Sequence, residues 1–259
     1  KENGEKIAQA LRGDAERFRN GAEVNGLDRY LSLIYPDAAG GADYLPPDAV
    51  VFPGGGMDVR DVECAVPWAG PSPEQWACLM SCPVSVAKGV ITAAAREVFE
   101  ESGVLLASAP DGGVPVDERE DHWAAEREAV ATRRVSFGEF LRERGLVLRS
   151  DLMRLRSHWV TPESEARRYD TYFFLARLPE GQHADGRTSE AVEAAWIAPG
   201  EALMRFDAGL LKLVPPTISN LTSIVAATSV DEAWNTPFDG HVRPHPVARA
   251  CGEVVLGCE

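Results

Sequence analysis

The sequence predicts a mixed α/β protein, an α/β sandwich or an α+β arrangement rather than a doubly wound sheet. Three observations predict it. A chain of 259 residues that is 45% hydrophobic is long enough to bury a sizeable core, as one large domain or one domain with decorations. Short aromatic and β-branched runs alternate irregularly with helical patterns, without the βα repetition of a doubly wound sheet. No segment recurs at a fixed period.

Taken in order, residues 1–46 form a poorly patterned lead-in, with a helix expected over 5–19 and a short apolar stretch, YLSLIY. Next, AVVFPGGG reads as a strand that ends in a glycine turn at Gly54, Gly55 and Gly56. Residues 62–90 read as an insert containing Pro, Ser and Trp. A long helical pattern ends at Gly103, and VLLA after it has strand character. Residues 118–145 are mainly helical in pattern, with SFGEFLRERG a capped amphipathic piece closed by glycine. HWVTP, TYFFLARL and EAAWIA follow as strands. PGEALMRFDAG and PPTISNLTSIVAA open with proline and read as helices. The organisation expected is a lead-in at 1–46, a principal domain at 47–234 and a tail at 235–259.

A formal charge of −14 argues against nucleic acid as a partner, because phosphate binding needs clustered Lys and Arg. An acidic protein still accepts a phosphorylated small molecule where a metal ion supplies local positive charge. No run approaches the length of a membrane-spanning helix, so no membrane association is expected. The start, KENGEKIAQALRG, has no signal-peptide core and no initiator Met, so the lead-in reads either as divergent or as incomplete at its N-terminus. Five cysteines without zinc-ribbon spacing read as free thiols, and a cytoplasmic location is expected. Homodimerisation is compatible with the sequence.

The stretch AREVFEESGVLL carries the most chemistry. On a helix, Glu97, Glu100 and Glu101 stand at i, i+3 and i+4 and share one face. Ile91, Ala94, Ala95, Val98 and Phe99 make the expected core stripe, which leaves the carboxylates clear of it. Like charges about 4 Å apart repel by roughly 4 kcal/mol at an effective dielectric near 20. On an open surface the same pairs cost only tenths of a kcal/mol, so energy alone does not separate a solvated face from a metal site. The glycine turn upstream shifts the balance towards the metal site. It supplies backbone able to approach a phosphate, and Mg²⁺ or Mn²⁺ binds through a few carboxylates together with substrate phosphates.

REVFEESGV, from Arg96 to Val104, resembles the second half of a Nudix box at every fixed position. In the first half, Gly55 is followed after five residues by Asp61, where the family usually has Glu. Between Asp61 and Arg96 lie 34 residues where the family pattern has seven. That insertion is similar to the branch of Nudix hydrolases that includes peroxisomal coenzyme A diphosphatases and their bacterial relatives. The likeness continues through HWVTPESEARRYDTYFFLARLPEG and LLKLVPPTISNL, over roughly residues 48–234. Two features depart from the family: residues 1–46 lack the apolar β-hairpin that normally precedes the glycine loop, and the coenzyme A signature upstream of it is absent.

The resemblance implies a Nudix α/β/α sandwich with a mixed sheet, an insertion within the box and a helical C-terminal extension. It implies Mg²⁺- or Mn²⁺-dependent hydrolysis of a nucleoside diphosphate linked to another moiety, with coenzyme A or acyl-CoA as first substrate. ADP-ribose, NADH or a nucleotide sugar is the alternative, as is a catalytically silent nucleotide-binding domain. Glu97, Glu100 and Glu101 would be metal ligands, with Arg96 fixing their rotamers. Gly54, Gly55 and Gly56 would shape the loop against the helix, and Arg167 and Arg168 are candidates either to bind phosphate or to pair with local acids. Asp61 reads equally as a metal-proximal carboxylate or a turn residue. Glu163, Glu165 and Glu193 are positional candidates for a general base. His241 and His245 with Cys251 and Cys258 have loose zinc spacing and read as a surface tail. Ser136 has no neighbouring His, so a nucleophilic hydrolase is unsupported.

Overall fold

A computed structural model describes residues 32–36, 49–113, 123–161, 168–184, 191–238, 240–242, 244–248 and 254–258. In chain order the first elements are β1 (Ser32–Pro36), β2 (Ala49–Val50), α1 (Val59–Glu63), β3 (Trp68–Ala69) and α2 (Pro73–Met80). The box helix α3 (Val84–Ser102) follows, then β4 (Ala107–Ser108), α4 (Ala124–Ala131), α5 (Phe137–Glu143) and β5 (Val147–Arg149). The second half holds β6 (Met153–Val160), β7 (Asp170–Ala176), β8 (Ala191–Trp196), α6 (Pro199–Asp207) and β9 (Lys212–Leu213). It ends with α7 (Pro215–Ile224), α8 (Val230–Asn235), β10 (His241–Val242), β11 (Pro244–Ala248) and β12 (Val254–Cys258).

Strand pairing is mixed. β6 and β7 pair antiparallel from Met153–Ala176 to Val160–Asp170, and β10 joins β6 in parallel. β5 takes β4 antiparallel on one side and β3 parallel on the other. β2 pairs with β9 in parallel, and β1 pairs antiparallel with β8. The lead-in, which carries no evident hairpin in its sequence, therefore contributes a strand. Its partner lies about 160 residues downstream in the register Ser32–Trp196, a separation no local pattern reveals. The expected helix over 5–19 lies outside the described residues. The tail, too, contains strands: β11 and β12 pair antiparallel from Pro244–Cys258 to Ala248–Val254.

Local chemistry accounts for the helix limits. Ser72 and Gln75 form a capping box on α2, Ser136 and Glu139 on α5, and Asp58 and Asp61 on α1. Box helix α3 ends at Gly103, whose φ of 73° suits glycine and whose N–H donates to the Phe99 carbonyl. The core lies on two clusters. Phe99 stacks on Phe140 with centroids 5.2 Å apart, among Trp76, Ile91, Leu141 and Leu148. A second cluster joins Val50 of β2, Leu213 of β9, Leu221 of α7 and Ile197, which directly follows β8.

The insert is built into the first cluster. Trp76, Ala77 and Met80 of α2 are buried there, and α3 already begins at Val84, inside the 62–90 segment. Lys88 ties the strand-like exit of α1 to α3 by donating to the Val62 and Cys64 carbonyls. Among the described residues, no single helix is long and apolar enough to cross a membrane.

Candidate active site

Ile91, Ala95 and Phe99 are fully buried, as the expected stripe requires. The opposite face of α3 is covered as well. Glu97 and Glu101 are each only 5% exposed, which corrects the expectation that the carboxylates stand clear of packing. Two features of the sequence produce this cover. Gly89 lets α1 cross closely, since a Cβ there would lie 2.5 Å from the Met57 sulfur and 2.7 Å from Val62 Cγ2. Gly55 does the same for the loop, because a Cβ at that position would fall 2.5 Å from Glu97 Oε1.

The glycine loop reads the helix through its backbone. Gly54 N–H donates to Glu101 Oε2 at 3.3 Å, and the Gly56 carbonyl accepts from Arg96 Nη2 at 2.8 Å. Arg96, 2% exposed, is the hub of the cluster. Its Nη1 donates to Glu97 Oε1 at 2.7 Å and to Glu100 Oε2 at 3.1 Å. Its Nη2 donates to Asp61 Oδ2 at 3.0 Å. Burial alone would push the guanidinium pKa down; its hydrogen bonds to Asp61 and the charges of Glu97, Asp61 and Glu100 outweigh it and hold the pKa above its ordinary value.

Asp61 thereby acquires a defined role. It is the third residue of α1, its carboxylate accepts from Asp58 N–H at 2.8 Å, and its other bonds go to Arg96. It closes a capping box and anchors the buried arginine. The choice between turn residue and metal-proximal carboxylate resolves as a structural carboxylate that touches the site through Arg96. Arg127, which the sequence reading passed over, is buried and donates from Nε to the Glu100 carbonyl at 2.8 Å. It fixes the helix backbone at the box from α4. Its immediate neighbours, Glu126 and Glu128, gave no signal of this in the sequence.

The fit to a divalent cation rests on donor chemistry. Oε1 of Glu100 is buried and has no hydrogen-bond partner among the described residues. A buried carboxylate oxygen without a donor is costly, and a hard cation satisfies it with the ligand type Mg²⁺ or Mn²⁺ prefers. The carboxylates are gathered on Arg96, and among the described residues no three His, Cys, Asp or Glu side chains already converge as a metal-ligating group.

Other sequence candidates lie elsewhere. Arg168 is exposed, and its Nε donates to the Thr161 carbonyl at 3.1 Å. Glu163, Glu165 and Arg167 fall outside the described residues, and Glu193 is described by its backbone alone, opposite Tyr35. His241 is directed at His158, with Nδ1 atoms 2.6 Å apart, rather than into a zinc site. His245 pairs with Gly257 across β11 and β12, and Cys251 is outside the described set. Ser136 is the cap of α5, with its hydroxyl bound to Glu139.

Comparison with known proteins follows the same geometry. The family described as NUDT19 Nudix domain matches residues 73–224, more than half of the chain and all of the box helix. The chain belongs to this Nudix family. A putative nudix hydrolase 7 from Caenorhabditis elegans is 28% identical over 178 residues, 69% of this chain and 50% of that protein. An acyl-coenzyme A diphosphatase NUDT19 from Gallus gallus is 30% identical over 159 residues, 54% of this chain and 41% of that protein. The chain thus spans about half the length, or less, of the curated relatives it matches. A crystal structure of a NUDIX hydrolase from Alicyclobacillus acidocaldarius superposes with a TM-score of 0.62, at 24% identity, over 84% of this chain and 91% of that one. The Nudix fold expected from the box is therefore the fold found.

Proposed function

We propose that this Nudix domain hydrolyses the diphosphate of a nucleoside diphosphate linked to a second moiety, with coenzyme A or an acyl-CoA as first substrate and with Mg²⁺ or Mn²⁺ as cofactor. The observation that carries the reading is the packing of Glu97 against Gly55 and of Glu101 against Gly54, with Arg96 joining Glu97 to Glu100. The names of the acyl-coenzyme A diphosphatases from Gallus gallus and Xenopus laevis support the substrate.

In this reading each group has a defined task. The glycine loop offers backbone close to the carboxylates without side chains in the way, so a diphosphate can lie against it. Glu100 presents a carboxylate oxygen without a competing donor, while Glu97 and Glu101 supply further hard oxygen ligands. Arg96 limits the rotamers of Glu97 and Glu100 by charge-assisted hydrogen bonds, and Asp61 limits those of Arg96. When bound, the metal neutralises phosphate charge and makes a bound water more acidic. Water adds to one phosphorus, the P–O–P bridge breaks, and two phosphomonoesters leave. Cys64, Cys78 and Cys82 are free thiols, which supports a reducing compartment as the working location.

The test is a panel of coenzyme A, ADP-ribose, NADH and a nucleotide sugar incubated with Mg²⁺ or Mn²⁺, with products identified by mass and ¹⁸O water used to mark the attacked phosphorus. Metal-dependent formation of two phosphomonoesters, fastest from coenzyme A or its thioesters, is expected. A folded protein that cleaves none of them overturns the enzymatic reading in favour of a binding domain. Fastest cleavage of ADP-ribose or NADH overturns the substrate alone.

A further inference from the structure

One depression joins the buried pair Asp61 and Arg96 to residues that are not fixed positions of the box: Asp58, Arg60, Arg133 and Ser136. The arginines at its rim are organised. Asp58 Oδ2 accepts from Arg60 Nη2 at 3.1 Å and from Arg133 Nη1 at 3.2 Å. Arg60 Nη1 also donates to the Arg133 carbonyl at 2.9 Å, which links α1 to the turn between α4 and α5. Arg133 adopts φ of 62°, a left-handed conformation uncommon for a long side chain. Held there, Arg133 remains 43% exposed and Arg60 35%.

The charge count is unusual for this chain. Arg60 and Arg133 both face Asp58, and Arg60 also feels the charges of Asp61 and Glu139, so the pair is a local concentration of positive charge, itself compensated by carboxylates, in a protein of formal charge −14. Hydrogen bonds from Arg60, first among the causes, hold the Asp58 carboxyl at about 2, so the carboxylate keeps both guanidiniums in place at neutral pH. A fixed, partly exposed arginine pair beside a cation-binding cluster is suited to a doubly charged oxyanion, which it can meet with paired donors.

We propose that Arg60 and Arg133 bind a phosphomonoester of the substrate that is separate from the diphosphate being cleaved. The inference rests on the diphosphatase reading for the identity of the bound molecule. Its test measures binding, so the two fail independently.

The experiment compares equilibrium binding of adenosine 3′,5′-bisphosphate and adenosine 5′-monophosphate to the full chain at fixed ionic strength and Mg²⁺. These probes differ by one phosphomonoester. Wild type is expected to prefer the bisphosphate by about tenfold, the scale of one charge-assisted contact. Arg133→Gly removes the side chain at a backbone position glycine tolerates, and Arg60→Gln removes the second charge with its stem retained. Each should bring the preference close to one, and Arg133→Lys should restore part of it. A wild-type preference near one overturns the proposal, as does a preference unchanged in both variants. Equal weakening of both ligands by Arg133→Gly also overturns it, because that outcome marks a general structural or electrostatic effect. Loss of hydrolysis with the preference retained overturns the diphosphatase reading alone.

Discussion

Gly55 approaches Glu97 so closely that a single added Cβ would sit 2.5 Å from its Oε1. The loop and the helix are thus fitted at the position where the chemistry is proposed. Gly55→Ala should move the Glu97 carboxylate, which is the far end of a flexible side chain, and the fold should survive. We expect kcat to fall at least tenfold with a Tm change of only a few degrees. Near-normal turnover would show that the Glu97 position is not used.

The box carboxylates separate ligand from scaffold. Glu100→Gln and Glu101→Gln should each lower kcat by about two orders of magnitude or more, and both should weaken Mn²⁺ binding measured by calorimetry. Glu101 also accepts from Gly54 N–H and Glu100 from Arg96 Nη1, so each variant should carry a modest loss of stability. Unchanged turnover and Mn²⁺ affinity in both variants would remove the metal-site assignment.

Arg96 is a buried charge with three carboxylate partners, and its removal strands them. Arg96→Ala should cost about 3–5 kcal/mol of unfolding free energy, the scale for breaking one side of a buried ion pair. A denaturant titration that gives less than about 1 kcal/mol would mean that water or metal already satisfies those carboxylates.

Much of this arrangement was legible in the sequence because it is local. Arg96, Glu97, Glu100, Glu101 and Gly103 sit within two helical turns, and helical periodicity alone places them relative to one another. The strands β7 and β8 follow from aromatic and β-branched runs in the same way, whereas only the last three residues of β6 fall in such a run. What escaped depends on partners distant in sequence. β1 is defined by pairing with β8, Asp61 by an arginine 35 residues on, and Arg127 by a carbonyl 27 residues before it. The burial of Glu97 and Glu101 was missed for the same reason, since the cover comes from a loop whose approach depends on glycine at positions 55 and 89.

Asp58 gives the protein a specific acid sensitivity. Its folded pKa lies below the unfolded value of 3.8, at about 2, so the bonded carboxylate adds stability that is fully present above 3.8. The contribution is lost as pH falls from about 3.8 through 2. Asp58→Asn should therefore lower Tm at neutral pH and flatten the part of the Tm profile that falls within this window. Parallel profiles for variant and wild type down to pH 2 would show that Arg60 and Arg133 do not hold the carboxylate in solution.

The insert offers the last prediction. The 62–90 segment, read from its sequence as an insert, packs as part of the core. Trp76 is 3% exposed, Met80 is 1% exposed, and the Trp76 ring meets Phe174 of β7 edge to face at 6.0 Å. Helix α2 is therefore a wall of the main core, with Ser72 and Gln75 fixing where it starts. Trp76→Ala alone should cost about 3–5 kcal/mol through lost burial and the cavity left against Phe174. Replacing residues 65–82 with a Gly/Ser linker should remove the cooperative thermal transition altogether, because it exposes Ile91 and Phe174 at once. By contrast, Leu79→Ser changes a half-exposed side chain on the same helix and should move Tm by no more than a degree or two. A linker variant that melts cooperatively near the wild-type temperature would return the insert to the status of an appended flap.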